Sequence, residues 1–311
     1  MDCNWEKPML GSHWIRAAAA AAAVFAISFT SVSLAQDAQP EAEAGNAVWQ
    51  AAGAAMVHGP NTVQLKNQAQ LALPAGYGFV PPKEGAAVMD MLGNQTDERF
   101  IGLIFPEAED SHWFVTMDYE ASGYIKDDDA KHWDADELLQ NLKDGTEAGN
   151  EHRRDIGVAE IEVTRWVEKP AYDAQTHQLV WSAEAKEKSG QDTDPVVNYN
   201  TYVLGREGYV SLNLITNSST VESDKPAAHA LLAAVNFNEG KRYTDFDSST
   251  DKVAAYGLAA LVGGIAAKKL GLLAAAGVFL AKFAKLIIVG LAAAGGAVAK
   301  FFKGRGGATQ A

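Results

Sequence analysis

Residues 196–215 read VVNYNTYVLGREGYVSLNLI. β-Branched, aromatic and other apolar residues dominate both halves of this stretch, and the glycine-flanked segment GREG separates them. The pattern predicts two strands, 196–204 and 209–215, joined by a hairpin loop. Strands that follow one another through short turns pair antiparallel, so we expect the rest of the sheet to be mostly antiparallel as well.

The regions before this hairpin carry further strand and helix signals. Alternating apolar and polar residues on both sides of Lys66-Asn67 predict a second hairpin with a two-residue turn. Asp134, followed by Glu137 three positions later, is typical of a helix N-terminus, and Gly93-Asn94 is typical of a helix end. The predicted strands are 101–105, 113–119, 161–167 and 179–181, and the predicted helices are 84–92, 134–153 and 225–235. This order indicates the α+β class, a mostly antiparallel sheet with packed helices.

The N-terminus resembles an export signal. Arg16 precedes an apolar run at 17–29, and Ser33-Leu34-Ala35 fits a small-x-small cleavage site. We predict a signal peptide over 1–35, with an uncleaved N-terminal anchor as the alternative. The sole cysteine, Cys3, lies before the apolar run, so the mature chain is expected to contain no disulfide and no reactive thiol.

The C-terminus has the composition of a membrane anchor, because residues 252–305 contain no Asp or Glu. A spanning helix needs about 20 apolar residues. Three uncharged runs are each shorter than this: 253–267, 270–281 and 286–299. Extending the last run back to Lys282 gives a sufficient length, because lysines near a helix end can reach the lipid headgroups. The basic residues that come after this run favour the cytoplasmic side. The first run would be a second span or a helix at the surface, and one long interfacial helix is the rival interpretation.

The predicted organisation is a signal peptide at 1–35, an acidic, Ala-rich linker at 36–60, an extracytoplasmic α+β domain at 61–247 and an anchor with a basic tail at 248–311. The net charge is −13, and residues 252–311 hold eight basic and no acidic side chains, so the preceding residues carry −21. An acidic body disfavours nucleic acid as a partner.

The densest group of candidate binding residues is acidic. Asp127, Asp129, Asp134 and Asp136 lie within ten positions, and several convergent carboxylates are what Ca²⁺ requires. The pattern is not an EF-hand loop, because Lys131 and His132 stand where that loop needs a ligand and a glycine. The open interpretations are an irregular cation site or acids that cap the following helix and favour its positive end.

Trp166 and Trp181 form a second candidate site. They lie on predicted strands joined by the loop at 170–177, so they can be neighbours across a hairpin. The two interpretations are core packing and a groove for a sugar or a peptide.

Motifs for catalysis are missing from the sequence. There is no Gly-x-Ser-x-Gly, no phosphate-binding glycine loop and no His-x-His or His-x-x-x-His spacing. We therefore predict no catalytic residue and no cofactor, and leave the metal unknown. The alternative is a hydrolase that acts on envelope glycans or lipids through the carboxylates near 127–136.

An ordered series of short stretches is similar to the bacterial membrane-anchored proteins grouped as domain of unknown function 2167. These stretches are LGN at 92–94, GLIFP at 102–106, YEASGYIKDDDA at 119–130, WDADELL at 133–139, YDAQTH at 172–177, VNYNT at 197–201 with LGR at 204–206, and DKVAAYGL at 251–258. The order of strands and helices also resembles the α/β/α sandwiches of photosystem extrinsic proteins. The family resemblance implies an exported domain with a C-terminal anchor and carries no established activity. The expected location is the bacterial inner membrane with the main domain in the periplasm, and the expected partners are the lipid bilayer and other envelope proteins.

Overall fold

A computed structural model describes residues 38–108, 110–155, 157–190 and 194–263 of the 311-residue chain. Two compact units comprise Met1–Glu41 and Ala42–Ala311, and residues 38–41 are the described part of the first. The predicted signal peptide and the preferred membrane span at 282–299 both lie outside the described residues. The folded body belongs to the second unit, which includes residues 42–55 of the helix that begins at Ala38.

Single helices separate groups of consecutive strands along most of the chain. The helices are α1 (Ala38–Ala55), α2 (Pro82–Met91), α3 (Ala135–Asp155), α4 (Val221–Ala233) and α5 (Ala259–Gly263), with 3-10 turns at Asp128–Lys131 and Tyr243–Asp245. The first strands are β1 (Val57–His58), β2 (Asn61–Leu65), β3 (Ala69–Leu73), β4 (Tyr77–Val80), β5 (Phe100–Pro106) and β6 (Phe114–Glu120). The remaining strands are β7 (Ile161–Asp173), β8 (Gln178–Glu187), β9 (Val196–Leu204), β10 (Tyr209–Asn217) and β11 (Val235–Phe237).

Two antiparallel sheets organise the domain. The large sheet has eight strands in the order β1-β4-β5-β6-β10-β9-β8-β7, and the small sheet has the order β11-β3-β2. Every pair of these strands is antiparallel, which confirms the predicted α+β class and antiparallel sheet. None of the helices within the described residues is long and apolar enough to cross a lipid bilayer.

The hairpin predicted from 196–215 is the centre of the large sheet. β9 and β10 pair from Val196↔Asn217 to Leu204↔Tyr209, and β10 pairs on its other side with β6. The loop is closed by a hydrogen bond from Gly205 N to Gly208 O at 2.7 Å. A Cβ at Gly208 would overlap the Glu120 carbonyl, so the turn requires glycine there.

Local signals predicted several other elements correctly, but β1, β4, β11 and α5 were not predicted, and α4 spans Val221–Ala233 rather than 225–235. Lys66 and Asn67 both have positive φ at the tip of the β2–β3 hairpin, although three residues rather than two connect the strands. Asp134 caps α3, since its Oδ1 accepts from Asp136 N at 2.8 Å and Glu137 N at 3.1 Å. Gly93 ends α2 with φ of 77°. The strands at 161–173 and 178–187 are longer than predicted.

The two faces of the large sheet are covered differently. One face packs against α4 and the small sheet in a core that includes Tyr199, Leu214 and Leu231. The other face carries two separate apolar clusters, one with residues of α1 and α2 and the other with residues of α3 and α5. The segment for which a linker was predicted contains α1, and its Trp49 packs edge-on against Phe105 with ring centroids 5.9 Å apart.

The run that begins at Val253 differs from the expectation of a second span or a surface helix. Val253 makes a parallel β-bridge with Tyr124, and α5 lies a few residues later. Leu258, Leu261 and Val262 are buried in the cluster with α3. Up to Gly263 this segment is therefore part of the folded domain, because its apolar side chains pack against the sheet rather than against lipid.

Candidate functional site

The four predicted acidic residues each bind a different partner. The Asp127 carboxylate accepts from the Tyr172 hydroxyl at 2.9 Å, and Asp134 caps α3. Asp136 is exposed and lies 3.9 Å from the Lys169 ammonium. In the described part of the chain, no three His, Cys, Asp or Glu side chains are grouped so that they could hold a metal ion. These acids therefore serve separate local contacts rather than one convergent site.

Asp134 also lacks the property that a catalytic acid at neutral pH needs. The backbone N–H groups of Glu137 and Asp136 stabilise the ionised form and lower the pKa of its carboxyl. A general acid requires a raised pKa instead. The cap interpretation of this residue is confirmed by its contacts.

Trp166 and Trp181 are brought together, as the hairpin prediction required. Their ring centroids are 6.0 Å apart in an edge-to-face arrangement. Trp166 Nε1 donates to the Ala135 carbonyl and Trp181 Nε1 to the Leu261 carbonyl, both at 3.0 Å. The two indoles thus pack under α3 and α5 and tie these helices to the sheet, which favours core packing over a groove.

Residues from three separate parts of the chain, 124–129, 181 and 206, hold residues 251–263 against the body. We name this group the C-terminal clasp and define it as Tyr124, Asp129, Trp181, Arg206 and the segment 251–263. Tyr124 N donates to Lys252 O at 2.8 Å, and Ala254 N donates to Tyr124 O at 2.8 Å. Gly123 next to it has φ of 94°, and a Cβ there would lie 2.6 Å from Lys252 O. The two chain segments can approach this closely because residue 123 has no side chain.

Asp129 attaches the start of α5. Its Oδ1 accepts from Leu258 N at 3.1 Å and its Oδ2 from Ala259 N at 3.0 Å, so both carboxylate oxygens bind backbone N–H groups of the helix start. A Cβ at Gly257 would overlap this carboxylate. The sequence interpretation of Asp129 as a cation ligand is therefore not supported, since its oxygens are engaged by the protein.

Arg206 attaches the beginning of the segment. Its Nε and Nη2 donate to the two oxygens of Asp251 at 2.7 and 2.8 Å, a bidentate pair. The guanidinium holds the pKa of the Asp251 carboxyl well below its usual range. Because guanidinium and carboxylate are planar, the pair fixes orientation as well as distance.

An aromatic stack lies beside the clasp. The Tyr124 ring stacks on Tyr243 at 4.4 Å and on Phe246 at 3.8 Å between centroids. His177 lies 4.2 Å from the Tyr243 ring, and its Nδ1 is 3.1 Å from the Tyr172 hydroxyl that donates to Asp127. Burial lowers the pKa of His177, while the charges of Asp127 and Asp173 oppose that shift. Burial, followed by the hydrogen bond to Asp127, raises the pKa of Tyr172.

Sequence reasoning missed most of these residues. Tyr124, Tyr172, His177, Arg206 and Asp251 were not selected, because none of them belongs to a recognisable catalytic or metal-binding spacing. A signal was nevertheless available: all five lie in stretches that carry the family resemblance, at 119–130, 172–177, 204–206 and 251–258. The fold brings these four stretches to one place. Their chemistry there is mutual hydrogen bonding and stacking, which attaches one chain segment to the rest.

Comparison with known proteins identifies the family. A sequence model described as "Protein of unknown function (DUF2167)" matches residues 57–293, so the chain belongs to this family and the prediction from its motifs is confirmed. No curated protein matches the chain.

Solved structures match over little more than half of the chain. The PsbP of the cyanobacterium Synechocystis (CyanoP) has 8% identity and a TM-score of 0.34, and the match covers 59% of this chain and 91% of that one. A point mutant of the protein Mog1 has 10% identity and a TM-score of 0.32, covering 57% and 94%. A protein of unknown function from Pseudomonas aeruginosa, PA94, has 8% identity and a TM-score of 0.21, covering 55% and 93%. At these scores the matches carry no argument about function.

Proposed function

We propose that this member of the DUF2167 family is a non-enzymatic domain that is anchored in the bacterial inner membrane, lies outside the cytoplasm and binds a partner or supports an assembly there. The observation that carries the proposal is the C-terminal clasp. Asp129 and Trp181, two of the side chains that the sequence offered as site residues, hold residues 251–263. That segment precedes the preferred membrane span at 282–299 along the chain.

The clasp suits a domain that must keep a defined orientation on its anchor. A bidentate ion pair, a capped helix start, a β-bridge and an indole hydrogen bond all act within thirteen residues. Such a set of contacts leaves the chain little freedom before it reaches Gly263. A flexible tether would have needed none of them.

The sequence supplies the location part of the proposal. The signal-like N-terminus directs the domain across the inner membrane, and the basic tail at 300–305 favours the cytoplasmic side for the C-terminal end. The acidic balance of the preceding residues suits a partner that is not a nucleic acid.

Single-cysteine labelling tests the topology. The native chain has only Cys3, so a Cys3→Ser background allows one cysteine at a time, at the exposed Glu239 or in the tail at Thr309. With a membrane-impermeant maleimide applied to intact inner-membrane spheroplasts, we expect Glu239→Cys to react and Thr309→Cys to react only after the membrane is lysed. The proposed location would be overturned if neither cysteine reacts before lysis, or if the chain is recovered in a soluble fraction without detergent.

The partner role needs a separate test, which is crosslinking in native membranes followed by purification of the full-length chain. We expect a discrete crosslinked species that weakens when Arg206→Gln loosens the clasp. The exposed Arg165→Gln, whose ion pair with Glu184 lies away from the clasp, is the matched control. A chain that crosslinks to nothing, or only to lipid, would contradict an assembly role.

A further inference from the structure

The open edges of the two sheets differ in how they are protected. A strand at the edge of a sheet presents unpaired N–H and C=O groups to solvent, and these groups pair readily with another strand unless the edge is protected. Among the described residues, β7 and β1 are the end strands of the large sheet, and β2 and β11 are those of the small sheet. β1 and β11 have only two and three residues, so the edges with room for a partner strand are those of β7 and β2.

The edge of β7 is well protected. Its 13 residues include five charged side chains and Pro170, and its register with β8 is shifted at three places. Asn150 of α3 binds both backbone groups of Ile161: its Oδ1 accepts from Ile161 N at 3.0 Å, and its Nδ2 donates to Ile161 O at 2.9 Å. Charges, proline, bulges and coverage by another element are the features that prevent pairing between sheet edges.

The edge of β2 carries no charge, proline or bulge. Its five residues read NTVQL and pair with β3 in an uninterrupted register. The three strands of the small sheet contain no charged residue, and the only charge between positions 59 and 73 is Lys66, at the hairpin tip. The residues before position 252 together carry −21. This neutral edge is therefore a surface on which two copies of an acidic body approach each other with little local repulsion.

The outward backbone groups of β2 belong to Thr62 and Gln64. The hairpin closes with a hydrogen bond from Gln68 N to Leu65 O at 2.9 Å, so the backbone of Leu65 points toward β3. Because this direction alternates along a strand, Thr62 and Gln64 point to the open side. Thr62 N donates at 2.8 Å to the side chain of Asn61, which is exposed. A strand partner can replace this local contact.

From this arrangement we propose that β2 pairs with β2 of a second copy of this chain. About a two-fold axis at Val63, antiparallel pairing places Thr62 opposite Gln64 of the second copy and uses all five residues of the strand. The outward backbone groups then form two reciprocal pairs of hydrogen bonds. The two three-stranded sheets become one continuous sheet.

The side chains of β2 match their own two-fold image. Val63 and Leu65 are buried and face the core, while Thr62 and Gln64 are exposed on the other face. The proposed register places Val63 opposite itself and keeps the apolar side chains on the core side in both copies. On the outward face, Thr62 and Gln64 meet as uncharged side chains that both donate and accept hydrogen bonds. The strand thus carries the sequence that its own edge requires, which favours a second copy over an unrelated peptide.

The proposed contact is small. Stable interfaces bury about 1,200–2,000 Å² in total, and one pair of five-residue strands provides less than this. We therefore expect a reversible association that increases where copies are concentrated, as they are when attached to one membrane. This step rests on the proposed function, because the membrane anchor supplies the concentration.

Disulfide formation in native membranes tests the register. In a Cys3→Ser background of the full-length chain, Thr62→Cys with Gln64→Cys places thiols on residues that are directly opposite in the proposed pair, at the Cα separation of about 5.5 Å that a disulfide fits. Either single variant places its two thiols diagonally, about 7–8 Å apart, which is too far. With copper phenanthroline and oxygen as the oxidant, we expect about fivefold more disulfide-linked dimer from the double variant than from either single variant.

The matched control is Gln70→Cys with Ala72→Cys. These positions are exposed on the same face of the small sheet with the same spacing, but they lie on the central strand β3. Each is about 4.8 Å further from the two-fold axis than the residues of β2, so the thiols of two copies cannot meet. We expect no linked dimer from this control.

Charge variants test the pairing without thiols. Two differently tagged copies of the full-length chain, expressed together, should co-purify from membranes. Thr62→Lys with Gln64→Lys in both copies puts like charges directly opposite and should reduce co-purification by about fivefold. Thr62→Glu with Gln64→Glu in one copy and the lysine pair in the other should restore it. Since both positions are exposed, the thermal midpoint of each variant should equal that of the parent.

The proposal is overturned if the double cysteine variant forms no more linked dimer than the single variants, or if the control on β3 links equally well. It is also overturned if opposite charges fail to restore co-purification, or if the thiols on β2 link to a different protein instead of a second copy. If the Glu239→Cys labelling fails while the dimer forms, the proposed location is wrong and the pairing stands. If the pairing fails while crosslinking finds another partner, the proposed function stands.

Discussion

The clasp and a row of paired residues in the large sheet, Thr116, Asn213 and Asn200, lie on the same face of that sheet but differ in how their polar groups are satisfied. In the clasp, both oxygens of Asp129, both oxygens of Asp251 and the Trp181 N–H bind groups of the protein itself. In that row, the hydroxyl of Thr116 and the amide oxygen of Asn213 are buried and have no hydrogen-bond partner among the described residues. The comparison teaches that the acidic residues of 127–136 make contacts within the protein, whereas two neutral groups on central strands have no partner among the described residues.

The largest expected effect concerns Trp181, because its substitution distinguishes core packing from a ligand groove. Trp181→Ala removes a buried indole and its hydrogen bond to α5, so we expect a loss of about 3–5 kcal/mol in the free energy of unfolding, measured by urea denaturation. Trp166→Ala, at a half-buried position, should cost less. If the Trp181→Ala variant is as stable as the parent, the result favours the groove interpretation of this residue instead.

Asp129 gives a smaller effect, at the level of one helix cap. Asp129→Ala should reduce stability by about 1 kcal/mol and accelerate amide hydrogen exchange at 258–263, because the start of α5 loses its acceptors. Asp129→Asn keeps a capping side chain and should retain most of the protection. Asp128→Ala, on a neighbouring residue outside the clasp, is the matched control. Unchanged exchange in Asp129→Ala would show that the clasp does not depend on this cap.

The smallest expected effect is a pH dependence at His177. Burial lowers its pKa in the folded chain below the ordinary value of 6.5, so the unfolded chain binds more protons as the pH falls through that value. Stability should therefore be unaffected by His177 above about pH 7 and should decrease below about pH 6.5. His177→Gln should lose this part of the slope in urea denaturation at a series of pH values, whereas His112→Gln should keep it. A slope that survives His177→Gln would assign it to other groups.

Elements whose signals are local were predictable. Asp134 caps α3 through N–H groups two and three residues away, and Lys66-Asn67 turn the chain through their own backbone conformation. The strands around 196–215 result from residue type and spacing. These features depend on a few consecutive residues, so a linear sequence contains nearly all of the information that they require.

Features that depend on distant partners were missed or misread. Asp129 has the same chemistry as Asp134, but its partners lie 129 and 130 residues further on. Its sequence context offered a cation ligand or an acid near the positive end of α3, and neither interpretation includes the start of α5. The apolar side chains of 258–262 suit lipid or protein equally well. Their burial against α3 depends on where the sheet places Trp181 and the β7–β8 hairpin.

Residue order alone was enough for the α+β class, the central hairpin, the main helix boundaries and membership of the family, since each rests on periodicity, turn chemistry or short motifs. Folding in three dimensions was needed to bring three remote motifs, 119–130, 204–206 and 251–258, together in the clasp and to align Thr116, Asn213 and Asn200 in one row. Alternation along a strand predicts which face a side chain takes. The register between strands, set by the whole sheet and its packing, determines which side chains meet there.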